Sequence, residues 1–195
     1  TAEIYTVLGH SDVSLRGYRT KISERGDQLV AVDAQGTLDG GKTLSVQLKP
    51  DGPRTLTAAS DDAGQAFKLI GFYPNLQGGR LKLEVDLEGK GAAEKSGVLW
   101  VDNFRVLGDP IVSEVYSSVG SGPSDDTPDG GKRKVEREVF EFQRLTAPFS
   151  VGHGQFVLDD TYVRGPLLGA SIRGKVDYNR RYINLGGTYV PLQGI

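Results

Sequence analysis

Residues 80–88 read RLKLEVDLE, and this short run decides what kind of protein the chain is. Leu81, Leu83, Val85 and Leu87 share one side of a two-residue period, while Arg80, Lys82, Glu84, Asp86 and Glu88 share the other. A helical repeat cannot separate them in this way, so the stretch is predicted to be a strand with one face toward water. Its apolar face needs a cover, and the options are a second sheet, the same sheet curled over, or an apolar ligand.

Downstream, residues 97–120 read GVLWVDNFRVLGDPIVSEVYSSVG. A β-rich run turns at Gly108, Asp109 and Pro110, then changes to helical spacing at Ile111, Val112, Val115, Tyr116 and Val119. Asp109 is suited to accept from the first helical amides, Pro110 to fill the first helical position and Gly120 to stop the helix. Upstream, a first helix is expected from about Asp61 to Ile70. Ser60 is the candidate N-cap, Asp61 and Asp62 stand at the positive end, and Ala63, Ala66, Phe67 and Ile70 line one face before Gly71.

The remaining apolar runs read as strands: Ala2–Leu8, Ser14–Ile22, Gln28–Ala34, Thr43–Leu48, Glu138–Leu145, Phe149–Val151, Gln155–Val163, Gly169–Tyr178 and Tyr182–Val190. Turns are expected at Arg25-Gly26-Asp27, Gln35-Gly36, Asp39-Gly40-Gly41 and Pro50-Asp51-Gly52-Pro53. Such close spacing leaves no room for parallel crossovers, so the class is mainly β and antiparallel, with two short amphipathic helices. Leu38-Asp39-Gly40-Gly41-Lys42 and Leu76-Gln77-Gly78-Gly79-Arg80 each lead into a strand, which suggests either a repeat or two similar hairpin turns.

Composition excludes several functions. With 23 basic against 25 acidic residues among 195, no broad basic field exists for nucleic acid. There is no cysteine, which removes disulfides, thiolate metal sites and cysteine nucleophiles together. No apolar run approaches the ~20 residues that span a bilayer. The absence of an initiator methionine marks the chain as an excerpt whose anchor, if it has one, lies elsewhere.

Candidate chemistry is sparse. His10 and His153 stand in no metal-ligand spacing and read as turn residues. No nucleophile elbow, phosphate loop or dinucleotide fingerprint occurs. The pairs Asp61-Asp62, Asp125-Asp126 and Asp159-Asp160 are adjacent, so on a strand they point to opposite faces and fit solvated edges or turns better than an acid and base pair. Asp125, Thr127, Asp129, Gly130 and Glu136 match places in a calcium loop, but Pro128 and Lys132-Arg133-Lys134 fit that loop poorly. The segment around them, at about 121–134, reads as a flexible insert. No cofactor, metal site or catalytic residue is expected. The aromatics Phe140, Phe142, Phe149, Phe156, Tyr162, Tyr178, Tyr182 and Tyr189 read chiefly as β core.

The order of several motifs resembles the C-terminal region of AsmA-like envelope proteins, the superfamily of AsmA, YhdP and TamB. The resemblance runs through Ser60-Asp61-Asp62-Ala63-Gly64, Leu76-Gln77-Gly78-Gly79-Arg80-Leu81, and Gly97 to Val106 with Pro110 beyond. It continues through Phe142, Leu145, Ala147 and Phe149, Gly165 to Gly169, Gly174-Lys175-Val176-Asp177, and Ile183 to Pro191. It covers the chain from about residue 55 onward, dividing it into a β-meander at 1–58 and an AsmA-like module at 59–195.

The resemblance implies a long, twisted sheet curled into an apolar groove, in a periplasmic protein tethered to the inner membrane. Its implied partners are phospholipid acyl chains, the rest of the parent chain and other envelope proteins. The implied role is non-enzymatic, guiding phospholipid between membranes or supporting the outer membrane. Leu81, Leu83, Val85, Leu87, Trp100 and Phe104 are the candidate lining of such a groove. The competing expectation is a β scaffold or protein-interaction module with a closed core, and a third is a carbohydrate-active enzyme on a β framework.

Overall fold

The structure, a computed structural model, describes residues 1–26, 28–91, 94–119, 139–166 and 168–191. Its strands are β1 (Ala2–Leu8), β2 (Ser14–Arg25), β3 (Gln28–Thr37), β4 (Thr43–Leu48), β5 (Thr55–Ser60), β6 (Leu76–Gly91), β7 (Glu94–Leu107), β8 (Val139–Gly152), β9 (Gln155–Arg164), β10 (Leu168–Asp177) and β11 (Tyr182–Pro191). The helices are α1 (Ala63–Leu69), between β5 and β6, and α2 (Pro110–Val119), after β7. All eleven strands form one antiparallel sheet in chain order, and the sheet is not closed, so β1 and β11 are its edges. The expected boundary at residue 58 falls inside β5, which pairs with both β4 and β6.

Several local expectations are corrected. β5 was not among the predicted strands, because Thr-Leu-Thr-Ala-Ala-Ser is short of the branched and aromatic residues that signal one. Gln35-Gly36 is not a turn but part of β3; a side chain at Gly36 would meet Leu15 Cδ1 at 2.7 Å, so glycine is needed for packing there. The two runs expected at 138–151 are a single strand, β8, with Pro148 inside it.

The N-cap of α1 is Asp62 rather than Ser60: the Gln65 amide donates to Asp62 Oδ1 at 2.9 Å. Ser60 ends β5, and its hydroxyl donates to the Thr43 carbonyl at 2.9 Å. Asp109 does cap α2, accepting from the Ile111 and Val112 amides at 3.0 and 3.1 Å. The calcium-loop positions, the flexible insert and the stop at Gly120 lie outside the described residues.

The paired glycines behave alike in backbone but not in context. Gly40 and Gly41 have φ of 70° and 76° in the turn between β3 and β4, whereas Gly78 and Gly79 have 63° and 82° within β6. Leu38 and Leu76, which precede them, are each 2% exposed. Both stretches thus seat a leucine in the core and then turn the chain through left-handed residues, but only the first is a hairpin connection.

The main core lies where α1 packs on β6 and β7. Ala63, Ala66 and Phe67 of α1 join Leu76, Leu81, Val101, Phe104, Val106, Phe140 and Phe142 in one buried cluster. Val101 and Phe104 share this cluster although they stand three apart in β7, so the alternation of faces slips by one between them. Asn103, with φ of 53°, is the residue that makes the slip. Gly79 lies beside it, where a Cβ would meet Phe104 Cβ at 2.8 Å.

Candidate functional site

Residues directly opposed in neighbouring strands project from the same face of a sheet, so the register traces rows across it. One row joins Ile22, Val32, Leu48, Leu56, Val85, Gly97, Phe149, Leu158, Gly174 and Leu185, from β2 to β11. Every member is aliphatic, aromatic or glycine. A further row on the same face joins Gly36, Leu44, Ser60, Leu81, Val101, Leu145, Val163, Ala170 and Tyr189. On the opposite face a row runs from Glu3 through Arg19, Gln35, Ser45, Ala59, Lys82, Trp100, Thr146, Tyr162 and Ser171 to Thr188. Within it Arg19 donates to Glu3 at 2.9 Å, and the Ser171 and Thr188 hydroxyls are 2.8 Å apart.

The six candidate lining residues divide among three settings. Leu81 and Phe104 are sealed in the cluster beneath α1, where Phe104 stacks on Phe142 at 5.2 Å between ring centroids. Leu83, Val85 and Leu87 are half-buried; Leu83 packs against the edge of that cluster. Trp100 stands on the other face, with the Lys82 ammonium 5.2 Å from its ring centroid.

The structure brings Phe149, Phe156, Leu56 and Leu158 to the neighbourhood of Val85. Phe149 and Phe156 stack at 5.5 Å, and the Phe149 ring lies over Gly97, where a Cβ would stand 2.7 Å from it. Their apolar character was visible in the sequence, but their place beside Val85 depends on long-range register.

Three ionisable groups with shifted titration are tied to structural tasks. Asp61, beside α1, accepts from the Thr43 amide and hydroxyl, and these bonds hold its carboxyl below its usual value. Burial, with help from its hydrogen bond to Asp109, pushes the Tyr73 phenol well above its ordinary range. At the β10–β11 turn Asp177 accepts from the Arg180 amide at 2.9 Å, which holds its carboxyl low, and from Gln155 Nε2 at 3.0 Å.

His153, with φ of 52°, sits in the β8–β9 turn, and the His10 amide donates to the Leu69 carbonyl. Among the described residues no group of three or more histidine, cysteine, aspartate or glutamate side chains is placed to hold a metal ion. No helix among them is long and apolar enough to cross a membrane. The row from Ile22 to Leu185 carries no ionisable side chain. No family model, curated protein or solved structure matches the chain.

Proposed function

We propose that the chain is a non-enzymatic segment of an AsmA-like protein of the periplasm, and that its apolar sheet face forms a groove guiding phospholipid acyl chains. The observation that carries this reading is the row from Ile22 to Leu185, which crosses ten strands with no polar side chain. Each methylene kept from water is worth roughly 0.8 kcal/mol, so an acyl chain leaving a membrane needs a surface that shelters ~15 of them continuously. A row with one polar interruption would place a barrier in that path.

The ends of the row support an open path. Ile22 and Leu185 are each 50% exposed, and Val85 and Leu158 are half-buried outside the α1 cluster. In this reading α1 flanks the groove at β6 and β7, and Leu83, Val85, Leu87, Phe149 and Leu158 form its wall. The parent chain's inner-membrane tether and its envelope partners follow from the family resemblance. One observation favours the competing scaffold: Leu48, in the same row, is only 2% exposed.

The test is Leu83→Glu and Val85→Glu. In an open groove the new carboxylate reaches water, so both variants fold with modest loss of stability while phospholipid co-purification, read by mass spectrometry, drops. In a closed core the same changes bury an unpaired charge and cost several kcal/mol. Unfolded variants together with a lipid-free parent chain would overturn the groove in favour of the scaffold.

A further inference from the structure

The antiparallel order puts the β2–β3, β4–β5, β6–β7, β8–β9 and β10–β11 turns at one end of the sheet, opposite the end that carries α1 and α2. Exposed carboxylates stand at the first three of these turns: Glu24 before β2–β3, Asp51 in β4–β5 and Glu94 after β6–β7. The last two turns differ. Residues 178–182 read YNRRY, and the neighbouring β8–β9 turn reads Gly152-His153-Gly154. Tyr178 and Tyr182 are 62% and 50% exposed, and the Arg180 side chain is 84% exposed. Arg181 and Lys175 are exposed beside them.

The one carboxylate at these two turns, Asp177, is turned inward. It is 4% exposed and accepts from the Arg180 amide and Gln155 Nε2. Arg180 Nε stands 4.0 Å from Asp177 Oδ2, a loose contact that leaves the guanidinium in water. The two turns are also tied to each other: the Tyr178 amide donates to the Gly154 carbonyl at 2.9 Å, and Asn179 Nδ2 donates to the His153 carbonyl at 3.2 Å. A Cβ at Gly154 would stand 2.3 Å from Asn179 Nδ2, so the bare glycine gives that amide its seat. The tip is thus held in one shape before anything binds, which lowers the ordering cost of binding. A turn projects past the ends of the strands it joins, so a further strand paired to β11 would lie beside the tip and not over it.

We propose that this tip is a contact site for an anionic phospholipid surface. Tyr178 and Tyr182 settle at the level of the headgroups, with the ring toward hydrocarbon and the hydroxyl toward water, and Arg180 and Arg181 pair with phosphate oxygens. Each basic side chain near a negative leaflet raises affinity by about fivefold. A lipid surface can engage a single tip, whereas a nucleic acid needs a basic track that the balanced charge of this chain does not supply. The inference stands on the tip alone and does not depend on what the apolar face meets.

The experiment mixes the full chain with sucrose-loaded vesicles of phosphatidylcholine and phosphatidylglycerol in equal parts, or of phosphatidylcholine alone, and reads the sedimented fraction. Binding to the anionic vesicles is expected to be about tenfold tighter and to weaken as salt rises from about 0.05 M to about 0.5 M. Arg180→Glu/Arg181→Glu is expected to lose about tenfold or more on the anionic vesicles, and Tyr178→Ser/Tyr182→Ser roughly fivefold with the salt dependence kept. All four side chains are exposed, and unchanged circular dichroism spectra would establish that both variants fold. Lys21→Glu/Arg25→Glu makes the same change in net charge near the β2–β3 turn and is expected to leave binding within about twofold. No binding to the anionic vesicles, equal binding to both kinds, or equal losses from the two charge-reversed pairs would overturn the proposal. So would release of the bound chain by inorganic phosphate or polyuridylate at matched ionic strength, which would assign the tip to a free anion or to nucleic acid.

Discussion

The two ends of the apolar face follow the same alternating pattern and differ in their cover. In the cluster that α1 joins, Val101 is fully buried and Phe104 stacks on Phe142. A few residues along the same strands, Leu83, Val85 and Leu99 are half-buried, and toward β11 the face opens at Leu185. Alternation selects a side for each residue but does not say what lies over that side. A seven-residue helix is enough to convert one part of the face into core. Leu83, Val85 and Leu99, by contrast, are only half-buried.

The largest effect is expected at the covered end. Phe104→Ala removes a stacked ring from a closed cluster and should cost about 3–5 kcal/mol, measured by chemical denaturation. Val85→Ala takes fewer atoms from a site already half open and should cost roughly 1 kcal/mol. Equal costs at the two positions would mean that the face is sealed throughout and would erase the distinction between the ends.

Acid probes the two regions separately, because a carboxylate in each is held below the ordinary 3.8: Asp61 near α1 and Asp177 in the last hairpin. A group whose folded value is depressed contributes stability above its unfolded value and loses it as pH falls through the folded one. Stability should therefore decline from about pH 4 downward. Asp61→Asn and Asp177→Asn should each flatten part of that decline in unfolding midpoints followed against pH. If neither variant changes the acid limb, these hydrogen bonds do not anchor the two ends.

The smallest effect belongs to the polar face. Arg144 donates to Asp102 at 2.6 Å, beside the point where the alternation slips, but the arginine is well exposed. Arg144→Ala should change stability by less than about 0.5 kcal/mol in the same denaturation assay. A larger loss would mean that this ion pair helps hold the slip at Asn103.

The two helices illustrate how far local signals reach. Asp109-Pro110 is a cap and a first helical residue in immediate succession, and α2 begins there as expected. At α1 three consecutive polar residues, Ser60, Asp61 and Asp62, are all competent caps. The choice falls to Asp62 because Ser60 and Asp61 are drawn to Thr43 across the β4–β5 pair. Gln35-Gly36 shows the same limit: its composition suits a turn, but Leu15 packing on the bare glycine makes it strand.

The β class, the antiparallel order implied by short connections, most strand positions and the polar and apolar sides of β6 were legible in the residues alone, because a two-residue period is a property of neighbouring residues. Which of those residues are enclosed depends on packing between distant strands. Trp100 and Phe104, four apart, would share a face in an unbroken strand. The left-handed backbone at Asn103 instead sends Phe104 under α1 and leaves Trp100 beside Lys82 on the other side. Asparagine tolerates that conformation without requiring it, so the slip was fixed by the packing of β6, β7, β8 and α1 together. The uninterrupted row from Ile22 to Leu185 has the same origin, since it joins residues far apart in the chain through register alone.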